Sequence, residues 1–265
     1  TYEGATMKSN DILLTPDYTL ANAESYSISE NERYPNLVAE NVQTKWLPNQ
    51  DSMYINTNNH SVNVLRNQQK FNGNLLQTSQ QLSGNGILEW DKATLQSKDM
   101  KFKPNEVLAK ISAVEIVSLS SDKIAFSSDN LYAHVDFNRQ IGDFKANELG
   151  RLTHLPYNQF SCSMDEYTWD MKNHTIAFNK GPQLAKNKSY FMSTKYDQEG
   201  LRFESTKALF DIEKGIIYAE EVPYVDVADS RIFPFNKSIE IHESADIQRL
   251  EKAKILASRN KKYMF

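Results

Sequence analysis

Alternation of apolar and polar residues at every second position constrains this chain most, because that spacing puts one face of an extended strand against a core. Residues 87–97 (ILEWDKATLQS) set Leu88, Trp90 and, after a break, Leu95 among polar neighbours. Residues 124–137 (IAFSSDNLYAHVDF) place Ile124 and Phe126 on one face, then Leu131, Ala133, Val135 and Phe137. Residues 201–212 (LRFESTKALFDI) do the same with Leu201 and Phe203, then Ala208, Phe210 and Ile212. The pattern predicts half-buried β-strands.

The three segments also resemble one another. Each opens with Leu or Ile, one residue, then an aromatic: Leu88-x-Trp90, Ile124-x-Phe126 and Leu201-x-Phe203. Five positions beyond the aromatic stands another apolar residue, Leu95, Leu131 or Ala208. A degenerate strand–turn–strand repeat accounts for this, since each unit then needs its neighbour to cover its apolar face.

Tyr167–Met171, a polar turn at Lys172–His174 and Thr175–Phe178 read as a hairpin. Lys214-Gly215 marks a second turn, followed by strand-like Ile216–Ala219, Tyr224–Val227 and Ile239–Ile241. Pro223 and Pro234 fall at strand ends or edges. Region 20–50, rich in Asn, Ser and Glu, is expected to be a long surface loop with short strands. Ala245–Ser258 fits either a helix or successive short strands, and the surrounding β context favours strand. The expected fold class is therefore all-β with little helix. Its strand–turn–strand architecture would form a β-solenoid or a curved β-taco or jelly-roll-like stack. Residues 1–265 read as one elongated region with a sub-boundary near 111–123.

With 40% hydrophobic and 24% charged residues, the chain has ordinary globular usage. A net charge of −4 and scattered Lys and Arg provide no basic surface for nucleic acid. A lone Cys162 leaves no internal disulfide and no cysteine-built metal site, and its apolar setting reads as packing. No apolar run approaches the ~20 residues of a membrane-spanning helix. The opening TYEGATMK has neither charged n-region nor apolar h-region, and both ends read as cuts through a longer chain.

Several phrases resemble very long envelope or secreted β-repeat proteins of the Bacteroidota. They are Gly73–Gly86 (GNLLQTSQQLSGNG) leading into Leu88–Met100, Ser163–Asp170 (SMDEYTWD), Tyr224–Pro234 (YVDVADSRIFP) and Ala245–Ser258. The resemblance implies an internal β-repeat fragment, located outside the cytoplasm, in the periplasm, outer membrane or cell surface. It carries over no catalytic residues. A similarity of style extends to the OstA-like β-taco domains of lipopolysaccharide transport, as in Ala208-Leu209-Phe210-Asp211. Asp51-Ser52-Met53 is similar to the short O-glycosylation site of these bacteria. Asn59, Asn173, Asn187 and Asn236 open Asn-x-Ser/Thr sequences, which matter only in a eukaryotic secretory setting.

Chemistry-bearing motifs are absent. His60, His134, His154, His174 and His242 include no i, i+4 pair and no HExxH. Nucleophile elbow, phosphate loop and dinucleotide fingerprint are missing. Two acidic groups are worth following because glycosidases need paired carboxylates. Glu220, Glu221, Asp226 and Asp229 surround Pro223, while Asp165, Glu166 and Asp170 surround Trp169 in a patch suited to a sugar or calcium. Alternation makes the first group a polar outer face and Trp169 a core residue. No catalytic, cofactor-binding or metal residue is therefore assigned, and no cofactor is expected. The expectation is a non-enzymatic structural or interaction module whose partners are other envelope or surface proteins. The alternatives are a lipid or glycolipid conduit and, third, a carbohydrate-active β-helix enzyme acting on glycan.

Overall fold

The computed structural model describes residues 4–65, 69–148, 150–181 and 188–257. It is all-β, with twenty-three strands and only short 3-10 turns among the described residues. Two compact units divide the chain: Thr1–Val114 with Leu131–Gln140, and Glu115–Asn130 with Ile141–Phe265.

In the first unit β1 (Ala5–Leu14), β2 (Thr19–Ile28), β3 (Leu37–Leu47), β4 (Ser52–Asn56), β5 (Val62–Val64), β6 (Gln69–Gln77), β7 (Leu82–Trp90) and β8 (Ala93–Lys103) follow in order. Neighbours pair antiparallel, and β3 pairs with β4 through one half and with β5 through the other. β6 does the same from the other side. So β4 and β5 are two halves of one strand, interrupted at 57–61. β9 (Glu106–Val117) and β10 (Ile124–Asp136) each contribute residues to both units.

Interruptions of this kind recur. Register slips at Lys8, Ser9 and Asp11 in β1, and between Gly84 and Gly86 in β7. Asn41 in β3, Asn58 and Asn59 after β4, and Gly73 in β6 all have positive φ. They are neighbours: Asn58 Nδ2 donates to Asn41 O (3.1 Å), and Thr57 N to Gly73 O (3.1 Å). Gly73 pairs with Gly86, where a Cβ on Gly73 would lie 2.3 Å from Asn85 O. Only glycine permits that approach and that φ of 145°. A line of backbone kinks therefore runs across this unit from strand to strand.

The second unit carries the same device with the halves separated. In order come β11 (Ile141–Ala146), β12 (Thr153–Leu155), β13 (Phe160–Cys162), β14 (Glu166–Asp170), β15 (Thr175–Asn179), β16 (Tyr190–Ser193), β17 (Arg202–Glu204), β18 (Lys207–Asp211), β19 (Ile216–Glu220), β20 (Val225–Val227), β21 (Ser230–Phe233), β22 (Ile239–Ile241) and β23 (Lys254–Leu256). Hairpins alternate between two ladders. One runs β12–β13–β16–β17–β20–β21–β23. The other runs β11–β14–β15–β18–β19–β22. Followed along the chain, β11 with β12, β13 with β14, β15 with β16, β17 with β18, and β19 with β20 are halves of composite strands. This unit is an up-and-down meander folded along its midline.

Inward side chains of the two ladders meet. Phe178 on β15 lies 6.4 Å from Phe191 on β16, ring centre to ring centre, although these are two halves of one strand. Tyr167 packs edge-on against Phe126 (5.5 Å) and Phe178 (5.4 Å), and Phe203 packs on Phe191 (5.8 Å) and Phe160 (6.2 Å). All six rings are buried. Burial of each such ring contributes about 1.5–3 kcal/mol, and edge-on contact adds to it.

Buried serines near the kinks donate to backbone carbonyls of neighbouring strands. Ser97 Oγ donates to Ile111 O (2.6 Å) and Ser112 Oγ to Leu131 O (2.9 Å) in the first unit. In the second, Ser189 Oγ donates to Ser205 O (2.5 Å) and Ser205 Oγ to Glu220 O (2.7 Å). Each hydroxyl bonds the next strand at its own kink, which a buried carbonyl requires.

Two expectations change, and the strand reading of the last stretch holds for its described part. Region 20–50 is not a long loop: β2 and β3 fill most of it, their inward positions taken by small Ala21, Ala23 and Ala39 that hide the alternation. The three look-alike segments occupy two contexts. Leu88 faces Leu95 across a hairpin, whereas Leu131 and Ala208 follow Phe126 and Phe203 past a mid-strand kink. Of Ala245–Ser258, the described part is a bridge at Ile247 to Ile241 and the short β23, with no helix.

Candidate functional site

Strand geometry disperses the acidic residues singled out in the sequence. Glu220 ends β19 and pairs with Lys207 (3.3 Å) across the ladder. Glu221 takes a positive φ at the kink and accepts from the Thr206 hydroxyl. Asp226 grips Arg231 through both oxygens (2.7 and 3.0 Å), and that guanidinium lies 3.6 Å over the Tyr224 ring. Asp229 sits in the β20–β21 turn beside Ser230. These four serve separate local structures.

The second acidic group is also divided. Asp165 is buried in the break between β13 and β14, where Oδ1 accepts from Gly181 N (2.6 Å). Glu166 pairs with Lys145 on the outer face (3.2 Å). Asp170 accepts from the backbone N–H of Asn173 (2.9 Å) in the β14–β15 turn, and that bond holds its carboxyl below the usual range. Trp169 points inward and is buried, so it offers no open face to a sugar.

Histidines are equally separate. His134 is half-buried against Glu106 (3.2 Å), His154 meets Ser161 (3.1 Å), and His242 lies near Glu240 (3.8 Å). His174 occupies its turn with φ +52°, and His60 is exposed. Among the described residues no three His, Cys, Asp or Glu side chains group as a metal site. Cys162 is buried, and burial pushes its thiol up to about 12, well away from a reactive thiolate. Ser52 of the Asp-Ser-Met sequence is also buried and donates to Gln50 O (2.9 Å), while Asp51 Oδ2 accepts from Ser79 N (2.9 Å). Both therefore serve the β3–β4 turn. Asn187 lies outside the described residues.

One feature does stand apart, and alternation explains it. The inward residues of β2, namely Ala21, Ala23, Tyr26 and Ile28, are at most 5% exposed. Their registered partners on β1 share that face: Ala5 with Ile28, Met7 with Tyr26, Ile12 with Ala21, and Leu14 beside Thr19. Yet Met7 is 37%, Ile12 47% and Leu14 73% exposed. Among the described residues the core face continues onto β1 with these side chains exposed. The other side of β1 carries Lys8, bridging to Glu24 (3.3 Å), Asp11, accepting from Asn22 (2.8 Å), and the exposed Leu13. The sequence pattern alone did not reveal this face, because Ser9 and the register slip beside it break the alternation. No family model, curated protein or solved structure matches the chain.

Proposed function

We propose that this chain is a non-catalytic interaction module of an extracytoplasmic envelope or surface protein, and that protein partners dock at the exposed strand β1. The observation that carries the reading is the exposed core face of β1. A strand with open apolar side chains can serve as a template on which another chain docks. Lys8 and Asp11 on its other side fit the same role by holding the strand in solution until a partner arrives.

The conduit alternative needs a continuous apolar groove between the two ladders. Interlocking rings of Phe126, Tyr167, Phe178, Phe191 and Phe203 occupy that space in the second unit, which weighs against it. A glycosidase needs two carboxylates across a cleft, roughly 5–10 Å apart, and the acidic residues singled out are engaged in separate local contacts.

The test is affinity purification of the protein from detergent-solubilised envelopes, with mass spectrometry of both proteins and lipids. A protein partner in stoichiometric amount, lost from the Ile12→Lys, Leu14→Lys double variant, is the expected result. A co-purifying glycolipid retained by that variant overturns the proposal in favour of a conduit.

A further inference from the structure

A cleft of about 700 Å³ opens in the first unit where three turns meet. Its walls are the β2–β3 connection at Ser29–Tyr34, the β3–β4 turn at Pro48 and Asp51, and Ser79 of the β6–β7 turn. At its side stands Trp46. This indole continues the inward series of β3, in which Val42 and Thr44 are buried, yet it is itself only partly buried. Trp90 and Trp169, also inward, are 4% and 5% exposed. Trp46 differs in lining the cleft.

The walls are fixed without a ligand. Asn31 Oδ1 accepts from the backbone N–H of Arg33 (2.8 Å) and Tyr34 (3.0 Å), closing the first turn on itself. Arg33 Nη1 donates to Ser79 O (3.1 Å), the Tyr34 hydroxyl to Thr78 O, and Ser79 N to Asp51 Oδ2 (2.9 Å). Turns that staple one another in this way present a preorganised surface, which spares a ligand the ordering cost.

The lining sets the ligand class. Trp46 is partly exposed and lines the cleft, and an indole can stack on the apolar face of a ring. Around it stand the carboxylates of Glu30, Glu32 and Asp51, the Asn31 amide, the Ser29 and Ser79 hydroxyls and one guanidinium. That mixture of planar acceptors and donors matches vicinal hydroxyl groups. Among the described lining residues Arg33 is the one cation, which gives an anion little to pair with. We infer that the cleft is a binding site for a neutral oligosaccharide, with one sugar ring stacked on Trp46. The volume lies within the roughly 300–1,000 Å³ of small-ligand sites. This site belongs to the turns of the first unit and does not depend on the docking role of β1.

Tryptophan fluorescence tests it directly, since Trp46 is the one of three indoles that a quencher reaches. The purified chain is titrated with maltotriose, cellotriose, chitotriose and mannotriose, and acrylamide quenching is measured at each concentration. At least one trisaccharide is expected to protect Trp46 saturably. Calorimetry should then show that Trp46→Ala, with an unchanged thermal melt, loses roughly tenfold or more in affinity. Two results overturn the inference: no protection by any of the four sugars at millimolar concentration, or unchanged binding to Trp46→Ala. Protection by trilysine but by no sugar likewise overturns it and assigns the acidic rim to a cationic ligand.

Discussion

At the scale of the residue, the fold depends on small polar side chains at the kinks. Ser205 is buried, and its hydroxyl lies within bonding distance of both Lys207 O and Glu220 O. Replacing it with Ala removes that hydroxyl from a part-buried site. Ser205→Ala should therefore lower stability by about 1–3 kcal/mol in urea unfolding, against near-neutrality for an exposed serine. Gly215 is the turn residue read from the sequence, and its φ of +69° confirms the need for glycine. A Cβ there would also meet the Tyr157 ring at 2.5 Å. Gly215→Ala should cost more than the roughly 1 kcal/mol of an αL penalty alone, and Tyr157→Ala should recover part of the difference. Asp170 supplies a pH prediction. Its folded-state pKa is depressed by the Asn173 N–H, so its contribution is complete above the unfolded value near about 4 and is lost as pH falls. Urea midpoints at pH 6 and pH 3 should differ less for Asp170→Asn than for the parent.

Elements show what the sequence reveals and what it hides. Half-strands such as β14, β15, β18 and β19 were legible, because inward Tyr167, Trp169, Ile176, Phe178, Ala208, Phe210, Ile217 and Ala219 alternate cleanly. Their hairpin turns were legible as well, through Lys172–His174 and Lys214-Gly215. The midline kink was not. Asn41, Gly73, Ser97 and Ser205 look like ordinary polar interruptions, and nothing local indicates that they align across neighbouring strands. The kink also shifts alternation out of phase, which is why β2 and β3 were mistaken for loop. The exposed face of β1 is hidden for the same reason, and the Trp46 cleft is not legible because its walls come from three separate turns. For β1 the consequence is measurable. Ile12→Lys with Leu14→Lys should leave the melting temperature within a few degrees of the parent, because exposed side chains contribute little to the core. The corresponding inward change on β2, Ile28→Lys, should unfold the unit by burying an unpaired charge.

For the molecule as a whole, function turns on what fills the space between half-strand ladders. An all-β meander folded along its midline can hold either a core or a lipid, and both demand inward Leu, Ile and Phe. Composition and periodicity could not separate them. In the second unit, contact among Phe160, Tyr167, Phe178, Phe191 and Phe203 favours a core. A core of interlocked rings implies a large cavity cost on truncation, so Phe178→Ala should lose about 3–5 kcal/mol. A lipid groove would tolerate the same change with little loss of stability. The most direct test is a fluorescence titration of the folded, delipidated chain with cis-parinaric acid. A filled core predicts no saturable emission until the protein unfolds. Saturable binding to the folded chain, displaced by added phospholipid, would contradict it and make the interior a lipid site.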